Sequence, residues 1–527
     1  VAPEDLVAID TPKGTRLGLR KTEEGKALQE CLVEIIEQSL HQLPIAKRMR
    51  WGARRDEFVQ PAHWVVAMIG DNTDLGQVMG MATSNVTRGH RFHSPGEILL
   101  QRPEDYVKAL ADARVVASFE ERRTMIQEQV ETEASTLSGS AVIDADLLDE
   151  VTGLVEWPVA LTGSFDKSFL EVPAEALVSS MKEHQKYFHL VDHEGRLKPN
   201  FITIANIESK DPIQVIAGNE RVIRPRLSDA AFFFETDKKS SLEQRVPALA
   251  SVVFQQQLGT LLDKTERVRK LAGSLASLIG SPPGLAERAA LLSKTDLLTE
   301  MVLEFADMQG IAGYYYALND GEDQEVAEAI VQQYWPRFAG DRLPDRLTAC
   351  TLGLADRLDT LVGIFGIGQP PTGSRDPFAL RRSSLAVLRI LVEKELDLDL
   401  RECLGLAAAG YPDDVIADGS TAQVFDYMIE RFRAWYEEEN IPAEVFKAVT
   451  ARDISQPLDI QRRVHAVHAF TRLPEAAALA TANTRVSTIL GKLEQGHQCG
   501  EENANLLTAP QEKALAESLG QLGGVCR

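Results

Sequence analysis

Cysteine is sparse in this 527-residue sequence. Its five cysteines, Cys31, Cys350, Cys403, Cys499 and Cys526, are odd in number, widely spaced and form no CxxC pair. That pattern supports neither a disulfide framework nor a zinc site, and it suits a reducing cytoplasm. No apolar run reaches the roughly 18 residues that a membrane-spanning helix needs. The start, Val1-Ala2-Pro3-Glu4-Asp5, has no basic n-region and no apolar h-region, so it does not read as a signal peptide. It also lacks an initiator Met, and the chain is expected to begin inside a longer protein. No GxxxxGK(S/T) loop, no GxGxxG opening a helix and no GxSxG elbow is present. None of the ten histidines lies between Glu194 and Val464, which argues against a His/Asp metal-dependent hydrolase site in that stretch. Positive charge is in deficit: 56 Lys and Arg stand against 78 Asp and Glu, a formal net charge of −22. On its face that balance opposes a nucleic-acid partner, because phosphate binding leaves a basic footprint.

What is present is an ordinary folded composition, 44% apolar and 25% charged. At roughly 100–200 residues per domain the length predicts about three to four domains. The first half mixes strand and helix patterns. Leu28, Leu32, Ile35, Ile36 and Leu40 recur at helical spacing over residues 22–41, and Glu120 to Glu133 reads as a charged helix. Trp64 to Ile69, Leu154 to Leu161, Tyr187 to Val191 and Phe201 to Ala205 read as strands, with Asp192-His193-Glu194-Gly195 as a hairpin turn. From about Ser240 helices dominate, and the patterning predicts them at 241–278, 284–317, 322–335, 345–365, 376–395, 421–437, 442–451 and 458–470. The last 40 residues are polar and weakly patterned. Gly363-Ile364-Phe365-Gly366-Ile367-Gly368 reads as a helix end rather than a phosphate loop. His465 and His468, His90 and His93, the pair Asp356 and Asp359, and the Lys294-Thr295-Asp296 segment read first as packing or local ion pairs.

The informative residues are local basic clusters. They are Lys47-Arg48-Met49-Arg50-Trp51-Gly52-Ala53-Arg54-Arg55, then Arg88-Gly89-His90-Arg91, then Arg221-Val222-Ile223-Arg224-Pro225-Arg226 with Lys238-Lys239, and Arg375 with Arg381-Arg382. Guanidinium forks match phosphate oxygens, and backbone contacts need only local positive potential. Trp51, Phe58 and Phe92 stand near enough in sequence to stack on bases or riboses.

Long segments carry a family resemblance. They include Met181-Lys182-Glu183-His184-Gln185-Lys186-Tyr187-Phe188, Ala205-Asn206-Ile207-Glu208-Ser209-Lys210-Asp211-Pro212 and Arg224-Pro225-Arg226-Leu227-Ser228-Asp229-Ala230. Further along stand Phe254-Gln255-Gln256-Gln257-Leu258-Gly259-Thr260, Tyr334-Trp335-Pro336-Arg337-Phe338-Ala339-Gly340-Asp341 and Asp376-Pro377-Phe378-Ala379-Leu380-Arg381-Arg382. From about Leu43 to Leu490 the chain resembles the β subunit of bacterial tetrameric glycyl-tRNA synthetase. The resemblance implies an α+β multidomain fold. Its N-terminal α/β domains would be similar to those of the phenylalanyl-tRNA synthetase β chain, and a mostly helical half would hold a degenerate HD-like domain. The expected divisions are 1–150, 151–240, 241–400, 401–490 and a polar tail at 491–527, with the family's anticodon-binding domain missing. In the HD pattern a His-Asp pair would stand at Lys294-Thr295-Asp296, so a ligand is lacking there, and Asp356 matches the later aspartate. The implied role is binding tRNA(Gly) and positioning its acceptor end for glycylation on a separate α subunit, in a cytoplasmic heterotetramer of two α and two β chains. The α subunit would use ATP and Mg2+, while this chain would bind no cofactor, no metal and no membrane, and would supply no catalytic residue. Arg48, Arg50, Arg54, Arg55, Arg88, Arg91, Arg224, Arg226, Arg381 and Arg382 form the expected pool of tRNA contacts. The rival readings are an HD-type nucleotide phosphohydrolase and a structural scaffold for the α subunit.

Overall fold

The structure is a computed structural model that describes residues 6–11, 14–19, 25–53, 55–373, 375–412, 414–490 and 507–522. The fold is α+β, in two compact units. The first takes residues 1–249 and 292–327; the second takes 250–291 and 328–527.

In the first unit, helix α1 (Leu28–Gln42) precedes a series of short strands. The expected strand at Trp64–Ile69 is reduced to Val65–Val66, because Ile69 turns back to bond Asn72. A hairpin follows, β1 (Val86–Arg88) against β2 (Glu97–Leu99). Helix α2 (Phe119–Thr136) starts where the Ser118 hydroxyl accepts the Glu121 N–H, with Glu120 and Glu121 favourably placed in its first turn. Its Ile126, Val130 and Ala134 recur every four residues and share one face. Helix α3 (Ala145–Leu154) is capped by the Asp144 carboxylate and buries Leu147, Leu148 and Val151. Both helices cover an antiparallel sheet of β3 (Ser140–Ala141), β4 (Val159–Ser164), β5 (Phe188–Val191) and β6 (Leu197–Ala205), in the order β3-β5-β6-β4. Alternation puts Phe188 and Leu190 of β5 into the core with Ile126, Val130, Leu148 and Ile202. Gly163 of β4 lies against the Phe201 ring, where a Cβ has no room. The β5–β6 turn falls at Asp192-His193-Glu194-Gly195 as the sequence predicts, with the Asp192 carboxylate accepting the Glu194 and Arg196 N–H groups.

Helix α4 (Pro212–Asp237) buries Ile223, Leu227, Ala230 and Phe234 at spacings of four, three and four. Pro225 inside it has no N–H to offer the Arg221 carbonyl. The helix expected over 241–278 is broken: α-helix ends at Arg245, the chain tightens to a 3-10 helix over Val246–Ser251 where Pro247 has no N–H to give, and α-helix resumes at Leu261. The helix expected over 284–317 is also broken. Thr299 caps a short helix, Glu300–Glu304, the Asp296 carboxylate takes the Gly310 N–H at 2.6 Å, and a further helix runs Ile311–Asn319.

The second unit is helical around α6 (Leu347–Gly366), which is buried along nearly its whole length. It packs on α5 (Leu261–Ile279), on α7 (Leu380–Glu393) and on the helices Leu400–Ala408 and Ser420–Glu438. The α5 start is a reciprocal cap: the Thr260 hydroxyl accepts the Asp263 N–H, and the Asp263 carboxylate accepts the Thr260 N–H. α7 begins at Leu380 rather than at 376, since Asp376 caps it from outside, accepting the Leu380 and Arg381 N–H groups. The glycine-rich run at 363–368 is a helix end as expected, and Gly363 admits the Tyr411 hydroxyl where a Cβ would collide. Helices Pro474–Leu490 and Pro510–Leu522 continue the described chain toward its end.

Candidate nucleic-acid interface

The eight basic candidates between Arg48 and Arg226 all lie in the first unit, while Arg381 and Arg382 lie in the second. Arg54 falls outside the described residues. Arg48, Arg50 and Arg55 come together on one cleft of about 410 Å3, with Glu37, His41 and Glu57. Two of the three are already engaged. Arg48 donates through Nη2 to the carbonyls of Leu40, His41 and Leu43 at 3.0–3.3 Å, satisfying the open end of α1. Arg50 is paired with Glu57 at 2.6 Å across a two-residue ladder. Arg55 is exposed and makes no hydrogen bond or ion pair among the described residues.

A second grouping forms at the β1–β2 loop. Arg88 pairs with Glu97 at 3.2 Å and lies 5.7 Å over the Trp64 ring. Arg91 lies 5.8 Å over the ring of Phe92, a residue 70% exposed. The loop is fixed from beneath by His90, which is buried. His90 Nδ1 accepts the N–H groups of Phe92 and His93, each at 3.3 Å, so the neutral ring carries its proton on Nε2 and donates it to the Asn206 carbonyl at 2.6 Å. The Asn206 amide oxygen accepts the N–H groups of Glu156 and Trp157 at 2.7 and 3.0 Å. His93 Nε2 accepts the Glu208 N–H at 3.0 Å. Arg114 then completes the cluster, 4.8 Å over Trp157 and 3.7 Å from Glu208.

On α4, Arg221, Arg224 and Phe232 occupy positions i, i+3 and i+11 of one exposed face. Arg226 reaches Glu304 at 3.8 Å. Among the described residues Arg224 makes no ion pair; it lies near Asp166, whose carboxyl is held below its ordinary value chiefly by the Ser168 N–H and hydroxyl, with Arg224 adding to the effect. In the second unit Arg381 donates to the Gly373 carbonyl, and Arg382 to the Arg337 carbonyl at 3.4 Å.

The carboxylates singled out by sequence have structural surroundings. Lys264 Nζ lies 3.0 Å from Asp359 and 3.2 Å from Asp356, and Arg267 Nε lies 2.7 Å from Asp359. Tyr411 donates to the Asp359 carbonyl at 2.8 Å. Asp296 is fully buried in the first unit, and burial pushes its carboxyl up to about 6 against the Gly310 N–H and the nearby Lys294 charge. His465 bonds Gln461, and His468 bonds Arg472. Among the described residues no three His, Cys, Asp or Glu side chains are grouped to hold a metal ion, and no helix is long and apolar enough to cross a membrane. The sequence reading found Arg88, Arg91 and Phe92 but missed Trp64, Arg114 and Trp157. Each is isolated in sequence, and the bonds through His90 and Asn206 that tie the 88–94 loop to the Trp157 segment join residues far apart along the chain.

Comparison with known proteins gives a consistent picture. A family model described as "Glycyl-tRNA synthetase beta subunit" matches residues 1–451. A protein of Chromohalobacter salexigens named "Glycine--tRNA ligase beta subunit" is 55% identical over 521 residues, covering 99% of this chain and 76% of its own length. Proteins of the same name from Marinobacter nauticus and Hahella chejuensis are 55% and 54% identical, over 98% of this chain and 75% of theirs.

Proposed function

Because the chain belongs to the glycyl-tRNA synthetase beta subunit family, we propose that it is the tRNA-binding chain of a cytoplasmic glycine–tRNA ligase. It would assemble with a separate α subunit, two of each, where ATP, Mg2+ and glycine form glycyl-adenylate. This chain would hold tRNA(Gly) so that its 3′ end meets the adenylate, giving glycyl-tRNA, AMP and diphosphate over the full cycle. No group of this chain then needs to act on the reacting atoms. Holding two reactants in register removes much of the entropic barrier by itself. The same reading takes the N-terminal α/β region as similar to phenylalanyl-tRNA synthetase β-chain domains, and the helical region as a degenerate HD-like domain.

The supporting observation is that Arg55, Arg91 and Arg224 stand exposed in the first unit with no ion pair among the described residues. On a chain of net charge −22, an exposed guanidinium that no carboxylate neutralises keeps its charge and its fork of donors for a phosphate. The phosphohydrolase rival loses ground, because Asp356 and Asp359 spend their charge on Lys264 and Arg267. The experiment is charge reversal, Arg→Glu at each of the three positions in the αβ complex. Weakened tRNA binding with a flatter salt dependence supports the reading, and unchanged affinity in all three overturns the proposed surface.

A further inference from the structure

We propose that the loop carrying Phe92 is a stacking platform for unpaired RNA nucleotides, which takes the 3′ strand of the tRNA where it leaves the acceptor stem. The inference rests on the tRNA-binding reading and adds which surface meets which part of the RNA. A phenylalanine residue 70% exposed at a loop tip forgoes burial that such a residue ordinarily gains. The loop does not simply fray there. The buried His90 ring gathers the Phe92 and His93 N–H groups on one nitrogen and anchors to the Asn206 carbonyl with the other. The ring is thus exposed on a fixed backbone, which lowers the entropic cost of stacking on it.

Its surroundings specify the occupant. Three guanidinium–aromatic pairs stand in the cluster: Arg91 on Phe92, Arg88 on Trp64 and Arg114 on Trp157. Glu97 answers Arg88 and Glu208 answers Arg114, while Arg91 has no carboxylate within ion-pair distance among the described residues. An apolar protein partner would meet an uncompensated cation beside the ring. An unpaired nucleotide offers a π-face for Phe92 and a phosphate for Arg91 together. A base inside an A-form duplex offers no free face, so the platform distinguishes single-stranded from paired RNA.

The test uses the full-length chain in complex with its α subunit and two acceptor-stem hairpins, one with an unpaired 3′ overhang and one blunt. Phe92→Ala should weaken the overhang hairpin by about 5- to 150-fold, the effect of one lost base–aromatic stack. It should leave the blunt hairpin unchanged, and Phe92→Tyr should restore binding. A 2-aminopurine placed at the first unpaired position should be quenched by the wild-type complex and not by Phe92→Ala. Equal loss on both hairpins, or no loss on either, overturns the platform. So does intact overhang binding combined with failure of the α and β chains to assemble, which would mark Phe92 as a protein contact. If the wild-type complex binds neither hairpin nor intact tRNA, the parent reading falls as well. Normal tRNA binding that Phe92→Ala leaves untouched removes the platform alone.

Discussion

Replacing Asp359 by Asn would test the ion cluster at the centre of the second unit. Asp359 is 1% exposed and receives Lys264 Nζ at 3.0 Å, with Arg267 Nε at 2.7 Å and Nη2 at 3.3 Å. The substitution keeps the shape and removes the charge. Lys264, itself 3% exposed, retains Asp356 at 3.2 Å, but Arg267 loses its carboxylate. Removing one member of a buried pair costs about 3–5 kcal/mol, and the surviving Asp356 contact sets the expected value near about 3 kcal/mol. At roughly 2–4 °C per kcal/mol for a domain of this size, calorimetry should show a transition lowered by about 6–12 °C. Adding Lys264→Met to Asp359→Asn should cost less than the sum of the two single changes, by about 0.5–3 kcal/mol, because both changes remove the same Lys264–Asp359 contact. A single variant within about 1 kcal/mol of wild type, or strict additivity, would refute the idea that these charges hold one another in place.

Three further outcomes are expected. Burial raises the Asp296 carboxyl to about 6 from an ordinary 3.8, so the unfolded chain ionises first. The stability this group contributes is present below about pH 4 and is lost as pH rises through 6, about 3 kcal/mol in all. Urea midpoints across that window should fall for wild type relative to Asp296→Asn; a difference that does not vary with pH would contradict this. Gly163→Ala should destabilise by about 1–3 kcal/mol through collision with the Phe201 ring, and a silent variant would mean that the ring moves aside freely. Arg91→Gln should reduce the slope of log affinity for tRNA against log salt by about 0.7–0.9, the share of one phosphate contact, and an unaltered slope would remove Arg91 from the interface.

The sequence was most readable where structure is decided locally. The charged segment Glu120 to Glu133 became α2 because Ser118 caps it and its apolar residues keep one face. The turn at Asp192 forms from its own carboxylate. The unbroken helix over 241–278 failed for a different reason: helical periodicity continues through Val246-Pro247 and the Gln-rich segment. The Gln255 side chain accepts the Gln257 and Leu258 N–H groups and turns the chain. At the candidate site, clusters adjacent in sequence were visible, but their charge was not. Arg48 proved to be a helix cap and Arg50 half of an ion pair, leaving Arg55 as the unengaged cation of that cleft among the described residues. The cluster around Phe92 depended on His90 and Asn206 bridging distant segments, and no local pattern encodes that.

The net charge of −22 is compatible with an RNA partner if a few unneutralised arginines carry the contact. The direct measurement is tRNA(Gly) affinity at fixed salt for the αβ complex carrying Arg55→Glu, Arg91→Glu and Arg224→Glu together, with folding and α binding verified. The account predicts a loss of more than about tenfold and a matching fall in glycylation. Wild-type affinity and charging in that variant would contradict it, and would leave the chain as a scaffold for its partner.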